Sequence, residues 1–136
     1  MNEQRNVEAV QKMYAALGRG DVAAILEDLA DDVSWEVNSQ AAASIPWYAP
    51  LRGKSDIPKF FQALADTVEY RRFEPQAFAA TGDVVYCTVS FDLVFKKNQQ
   101  KVTSIMFHRF TFKNGRVVNV RTGEDTAQTL AAWNAP

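Results

Sequence analysis

The chain has 136 residues, of which 47% are apolar, with 15 Lys or Arg against 16 Asp or Glu for a net charge of -1. That balance excludes long disorder and fibrous repeats and points to one ordinary folded domain spanning residues 1–136. Basic residues form no run longer than the pairs Arg71-Arg72 and Lys96-Lys97, so the footprint of a nucleic-acid or anionic-membrane binder is missing.

Val7, Val10, Tyr14 and Leu17 recur every three or four residues and predict a helix ending near Gly18 or Gly20. Asp21 reads as the N-cap of a shorter helix carrying Val22, Ile25, Leu26 and Leu29. Val33, Trp35 and Val37 alternate with polar residues as a short strand. Residues 39–53 show no period but hold Pro46, Pro50, Gly53 and the pair Trp47-Tyr48. So apolar a loop must cover something. Ser55 is placed to cap a third helix with Pro58 in its first turn and Ile57, Phe60, Phe61 and Leu64 inward.

From Tyr70 the period becomes two. Phe73–Ala80 is a strand whose Pro75 calls for an edge or a bulge. After the turn Thr81-Gly82-Asp83 come a strand over Val84–Phe95, a polar loop and a strand over Val102–Phe112. Asn114-Gly115 is a strong hairpin signal leading into a strand over Arg116–Thr122. Asp125 and Gln128 stand at capping-box spacing before a last helix. Helices followed by a run of strands define an α+β domain. A curved antiparallel sheet around its helices would leave a conical hollow.

No segment approaches the roughly 20 apolar residues of a membrane span, and the polar Met1–Asn6 stretch is not a signal peptide. Cys87 is the sole cysteine and His108 the sole histidine. Internal disulfides and sites needing two histidines are therefore excluded, a cytoplasmic location is expected, and no cofactor or metal is signalled. There is no Gly-rich phosphate loop and no serine or cysteine nucleophile motif.

Across nearly its whole length the chain resembles the nuclear transport factor 2-like superfamily, in its SnoaL-like branch. The carriers are Tyr14-Ala15-Ala16-Leu17 with Gly20-Asp21, Leu29 to Trp35, Leu51-Arg52-Gly53-Lys54, Gly82-Asp83-Val84-Val85, Phe110 to Val117, and Asp125-Thr126. The resemblance implies a cone-shaped, cystatin-like α+β roll and a homodimer formed through the sheet face. It also implies a cofactor-independent acid–base enzyme, such as an isomerase, a cyclase or a related lyase or hydrolase. Its substrate would be a small hydrophobic carbonyl compound. The alternative is a non-catalytic module that binds a small ligand or serves as an association domain, since fold does not fix function. Against the ketosteroid isomerases, Met13 falls at their tyrosine position, Val37 at their base, and Phe107 or His108 at their later aspartate. Steroid isomerisation is therefore not expected.

Similarity to the SnoaL-type cyclases makes His108 and Asp125 the candidate catalytic pair. An imidazole or a raised carboxylate is the kind of group that moves a proton near neutral pH. Tyr14, Trp35, Trp47, Phe60, Tyr86 and Phe110 are the candidate substrate-binding residues. Each has a plainer reading. His108 shares an apolar face with Met106, Phe110 and Phe112, as a core histidine would. Asp125 has the position of an N-cap, with Glu124 as the spare carboxylate, and the aromatic residues are ordinary core material. Tyr86 and Asp92 lie on one strand face with Thr88 and Ser90, and strand parity alone does not tell whether that face lines a cavity or covers the outside.

Overall fold

The computed structural model describes residues 2–37 and 45–136, the side chain of Val37 excepted. The part of the expected 39–53 loop that falls in 38–44 thus lies outside the described residues. Helix α1 (Asn2–Gly18) buries Val10, Met13 and Ala16, one stripe at three-residue spacing. Gly20, at φ 69°, turns the chain, and its N–H donates to Leu17 O at 3.0 Å. Asp21 Oδ1 then accepts from Ala24 N at 3.1 Å and starts α2 (Val22–Leu26).

Strand β1 (Leu29–Val37) begins four residues before the alternation at Val33. Leu29 and Val33 are both fully buried, and a register shift between Leu29 and Ser34 leaves Asp31 and Asp32 exposed. A bulge thus hides the strand start from a period-two reading. After a 3₁₀ turn at Pro46–Tyr48 comes β2 (Leu51–Arg52), paired antiparallel to β1. Ser55 does not cap α3 (Ile57–Thr67). It sits inside a second 3₁₀ turn, Lys54–Asp56, and the helix start at Asp56 has no side-chain cap.

Four long strands follow: β3 (Val68–Thr81), β4 (Val84–Phe95), β5 (Lys101–Lys113) and β6 (Arg116–Gly123). The sheet order is β2-β1-β6-β5-β4-β3. Pro75 therefore lies on the edge strand β3, next to a bulge between Gln76 and Ala79, where a missing N–H costs no ladder bond. Asn114 and Gly115, at φ 52° and 78°, form the β5–β6 turn with both central residues left-handed. The sheet is not wholly antiparallel: β1 runs parallel to β6. After β1 the chain crosses to the far edge through α3 and meanders back, so β6 reaches β1 from the same end.

The result is an α+β cone, with helices packed in a curved, mixed sheet. One core cluster joins Val10, Met13 and Ala16 to Val85, Cys87, Phe110 and Val117. The other gathers Phe91, Phe95 and Val102 under Trp47, Tyr48 and the C-terminal helix α4 (Thr126–Asn134). Asn98 Nδ2 donates to Ala132 O and Ala135 O, both at 2.9 Å, which pins the end of α4 to the β4–β5 turn. No helix among the described residues is long and apolar enough to cross a membrane.

Candidate functional site

Between the two clusters lies a cavity of about 420 Å³, within the range of small-ligand sites. Its walls are aromatic. Trp35 packs on Phe60 with centroids 5.3 Å apart. Trp47 stands edge-on to Trp133 at 5.8 Å. Among the described residues the lining includes no Lys or Arg, and its titratable side chains are Tyr14, Tyr70, His108 and Glu124. Trp35 Nε1 is buried and finds no acceptor among the described residues.

His108 is on the inner side of β5, opposite Cys87 on β4 and Thr122 on β6. Its Nδ1 is hydrogen-bonded to the Tyr14 hydroxyl, which also lies 3.0 Å from Cys87 Sγ. The two aromatic rings are 9° from parallel, with centroids 5.9 Å apart. Burial pushes the imidazole pKa down to about 4, so it is neutral at ordinary pH. Burial also raises the Tyr14 phenol far above its usual range and pushes the Cys87 thiol up. All three groups therefore remain uncharged.

Glu124 directly follows β6. Thr122 faces His108 across the ladder, and Glu124 lies two residues further, about 7 Å along the strand. Both line the cavity. Tyr48 Oη donates to Glu124 Oε1, and Thr129 Oγ1 donates to Oε2 at 3.0 Å. Burial raises the pKa of this carboxyl, and the two donors only partly offset the rise.

Of the residues singled out from sequence, His108, Tyr14, Trp35, Trp47, Phe60 and Phe110 meet around this cavity. Two do not. The Asp125 carboxylate turns back to its own helix, where Oδ1 accepts from Gln128 N at 3.1 Å. A capping carboxylate must point at the helix N–H groups, and Asp125 is absent from the lining. Tyr86 is on the outer face. Its neighbours Val85 and Cys87 take the buried side of β4, which leaves Tyr86 47% exposed. Asp92 shares that outer face, paired with Arg72 at 2.9 Å, and Glu36 pairs with Arg121 at 3.1 Å. Sequence reasoning missed Tyr48, Tyr70 and Met106 as lining or supporting residues. It left Glu124 as a spare, although counting two residues on from the partner of His108 would have placed it.

The fold is that of a nuclear transport factor 2-like protein. More narrowly, residues 10–120 match the SnoaL-like domain, and the chain belongs to that family. No curated protein is similar enough in sequence to count as a relative. Among solved structures it is similar to a nuclear transport factor 2-like protein of Burkholderia xenovorans LB400. The identity is 26%, the match covers 97% of this chain and 98% of that one, and the TM-score is 0.87. A candidate polyketide cyclase of Xanthomonas campestris pv. campestris shares 22% identity, with 97% and 98% covered and a TM-score of 0.77. An epoxide hydrolase of M. tuberculosis shares 17%, with 97% and 91% covered and a TM-score of 0.75. The last two likenesses are of fold alone.

Proposed function

We propose that the protein is a cofactor-independent acid–base enzyme acting on a small, uncharged, hydrophobic carbonyl compound. The observation that carries this reading is the convergence of a neutral imidazole, His108, and a raised carboxyl, Glu124, on one aromatic cavity. Two titratable groups in different environments are what proton transfer next to a carbonyl requires. One group takes the α-proton, and the electron pair of that C–H bond moves onto the carbonyl oxygen. The other group stabilises the enolate oxygen with a hydrogen bond. The proton then returns to carbon, or the enolate carbon bonds to a second carbonyl of the substrate and that carbonyl's oxygen takes the proton. A cavity lined, among the described residues, by no Lys or Arg offers nothing to a carboxylate or phosphate substrate. The fold is shared with proteins described as a polyketide cyclase and an epoxide hydrolase, which fits cofactor-free chemistry on apolar molecules.

The test is proton exchange. Hydrophobic ketones and lactones are incubated with the protein in deuterium oxide, and α-deuteration is followed by NMR. One uncharged class should exchange, and Glu124→Gln should slow it by about 10²-fold or more. If no ketone or lactone exchanges, and none perturbs the cavity resonances, the reading is wrong.

The outer face suits a second copy of this chain. Tyr86, Ile105 and Phe107 are 47%, 46% and 60% exposed. They are flanked by the pairs Glu36–Arg121 and Arg72–Asp92, so the face carries both signs and can complement itself across a two-fold axis. Sedimentation should give a dimer that Phe107→Glu dissociates. A monomeric wild type at micromolar concentration would overturn the pairing.

A further inference from the structure

We infer that Tyr14 and Cys87 are positioning residues that hold His108 in its Nε2–H tautomer, so that the imidazole serves as hydrogen-bond donor to the substrate oxygen and Glu124 alone takes the proton. The division of labour rests on the acid–base reading above. The tautomer itself does not.

The argument is one of donors and acceptors. A neutral imidazole carries one proton, and the bond made by one ring nitrogen decides which nitrogen holds it. Here Nδ1 is engaged by the Tyr14 hydroxyl. The contact is made at the ring nitrogen, where the lone pair or its proton lies, with the two rings 9° from parallel. The same hydroxyl is within 3.0 Å of Cys87 Sγ. Two orders of protons are possible along this row. In the first, Cys87 S–H donates to the phenol oxygen and the phenol O–H donates to Nδ1. In the second, Nδ1–H donates to the phenol oxygen and the phenol O–H donates to sulfur. The phenol is the strongest donor of the three, the unprotonated imidazole nitrogen is the strongest acceptor, and thiol sulfur is a weak acceptor. The first order joins the best donor to the best acceptor. The second spends the phenol proton on sulfur.

Among the described residues no charged group contacts the row formed by Cys87, Tyr14 and His108 Nδ1. Across the ladder His108 faces Cys87 and Thr122, and its aromatic neighbours are Tyr14 and Phe110. The lowered imidazole pKa and the raised phenol and thiol values keep the row neutral. The proton then resides on Nε2, which makes no hydrogen bond among the described residues and is the nitrogen left for an occupant of the cavity. An imidazole with Nδ1 already accepting and Nε2 protonated has no lone pair for a substrate proton. It can polarise a carbonyl, as a neutral imidazole does when its pKa is depressed. The base is then the carboxyl of the described lining, Glu124.

The full chain labelled with ¹⁵N-histidine gives one imidazole to observe. In a two-bond ¹⁵N–¹H correlation near neutral pH, without ligand, Nε2 should show a protonated-type shift and Nδ1 an unprotonated one, as a single tautomer. A protonated-type shift at Nδ1, or an even mixture, overturns the inference. Tyr14→Phe should release the tautomer into a mixture. Cys87→Ala removes both the donor of the first order and the acceptor of the second, so Nε2 should stay the protonated nitrogen. The phenol, no longer polarised by the thiol, then donates less strongly, and the Nδ1 shift moves toward that of a free nitrogen; Cys87→Ser should restore it. A merely structural role for Cys87 would leave the shifts unmoved in both variants and would refute its part. Should Tyr14→Phe fail to fold, the wild-type spectrum and the two Cys87 variants still decide. Absence of deuterium exchange with every ketone and lactone would count against the proposed function and leave this tautomer standing.

Discussion

His108 makes the stability of the protein depend on pH with a sign and size that follow from its burial. Its pKa is about 4 in the folded chain, against roughly 6.5 for an exposed histidine. Between those values the unfolded chain binds a proton that the folded chain refuses. Stability therefore rises with pH through this window, is fully present above about 6.5, and is lost as pH falls toward 4. At about 1.4 kcal/mol per pH unit, the whole displacement amounts to about 3 kcal/mol. Glu124 works in the opposite sense. Its raised folded pKa gives stability that is present at low pH and lost as pH rises through the folded value. The wild-type curve alone is therefore flatter than His108 would make it. The clean measurement is a difference, with urea unfolding of wild type and His108→Gln at a series of pH values from weakly acid to neutral. The gap between the two free energies should change by about 3 kcal/mol across the window, with the variant gaining relative to wild type as pH falls. Parallel curves would mean that the imidazole titrates alike in both states, and the picture of a desolvated, neutral His108 would fail.

Three further outcomes are expected. Asp125→Ala should cost about 1 kcal/mol in urea unfolding by removing the N-cap of α4. It should leave ligand-induced shifts of the His108 resonances in place, since Asp125 is not in the cavity wall. Phe91→Ala, at a fully buried position of the second core cluster, should cost about 3–5 kcal/mol by the same assay. Tyr48→Phe removes a donor that stabilises the ionised Glu124, so the Glu124 pKa should rise further. A carboxyl ¹³C titration reads this directly, and an unchanged midpoint would show that the hydrogen bond does not form in solution.

Local chemistry was legible in the sequence where a single residue carries the signal. The caps at Asp21 and Asp125, the left-handed pair Asn114-Gly115 and the edge proline Pro75 each stand where their backbone requirements place them. Features that depend on a partner strand were not legible. The early start of β1 is hidden by a bulge that turns Asp31 and Asp32 outward. The parallel β1–β6 pair follows from the path of the chain, which no local pattern encodes. The face of β4 that turns inward is set by which residues meet α1, so Tyr86 and Cys87, adjacent in sequence, end on opposite sides. The exchange of Asp125 for Glu124 has the same origin. Both are carboxylates at a strand-to-helix junction, but one is committed to the helix N–H groups and the other continues the inward parity of Thr122.

That junction explains how one short stretch can serve fold and site together. β6 must end and α4 must begin within a few residues for Leu130 and Trp133 to cover the second core cluster. The capping demand is met by Asp125, which leaves the preceding carboxylate free of it, and Thr129, one turn into the helix, reaches back to Glu124 Oε2. The other carboxylate oxygen is held by Tyr48 from the 3₁₀ turn Pro46–Tyr48. The carboxyl is thus oriented from two elements while burial keeps its pKa raised. His108 Nδ1 is engaged in a parallel way by the Tyr14 phenol from α1, which itself lies against the Cys87 thiol from β4. Burying two titratable groups this way costs stability that apolar side chains would not. Under the proposed acid–base reading the arrangement has a use, because groups held in place before the reaction cost no reorganisation during it.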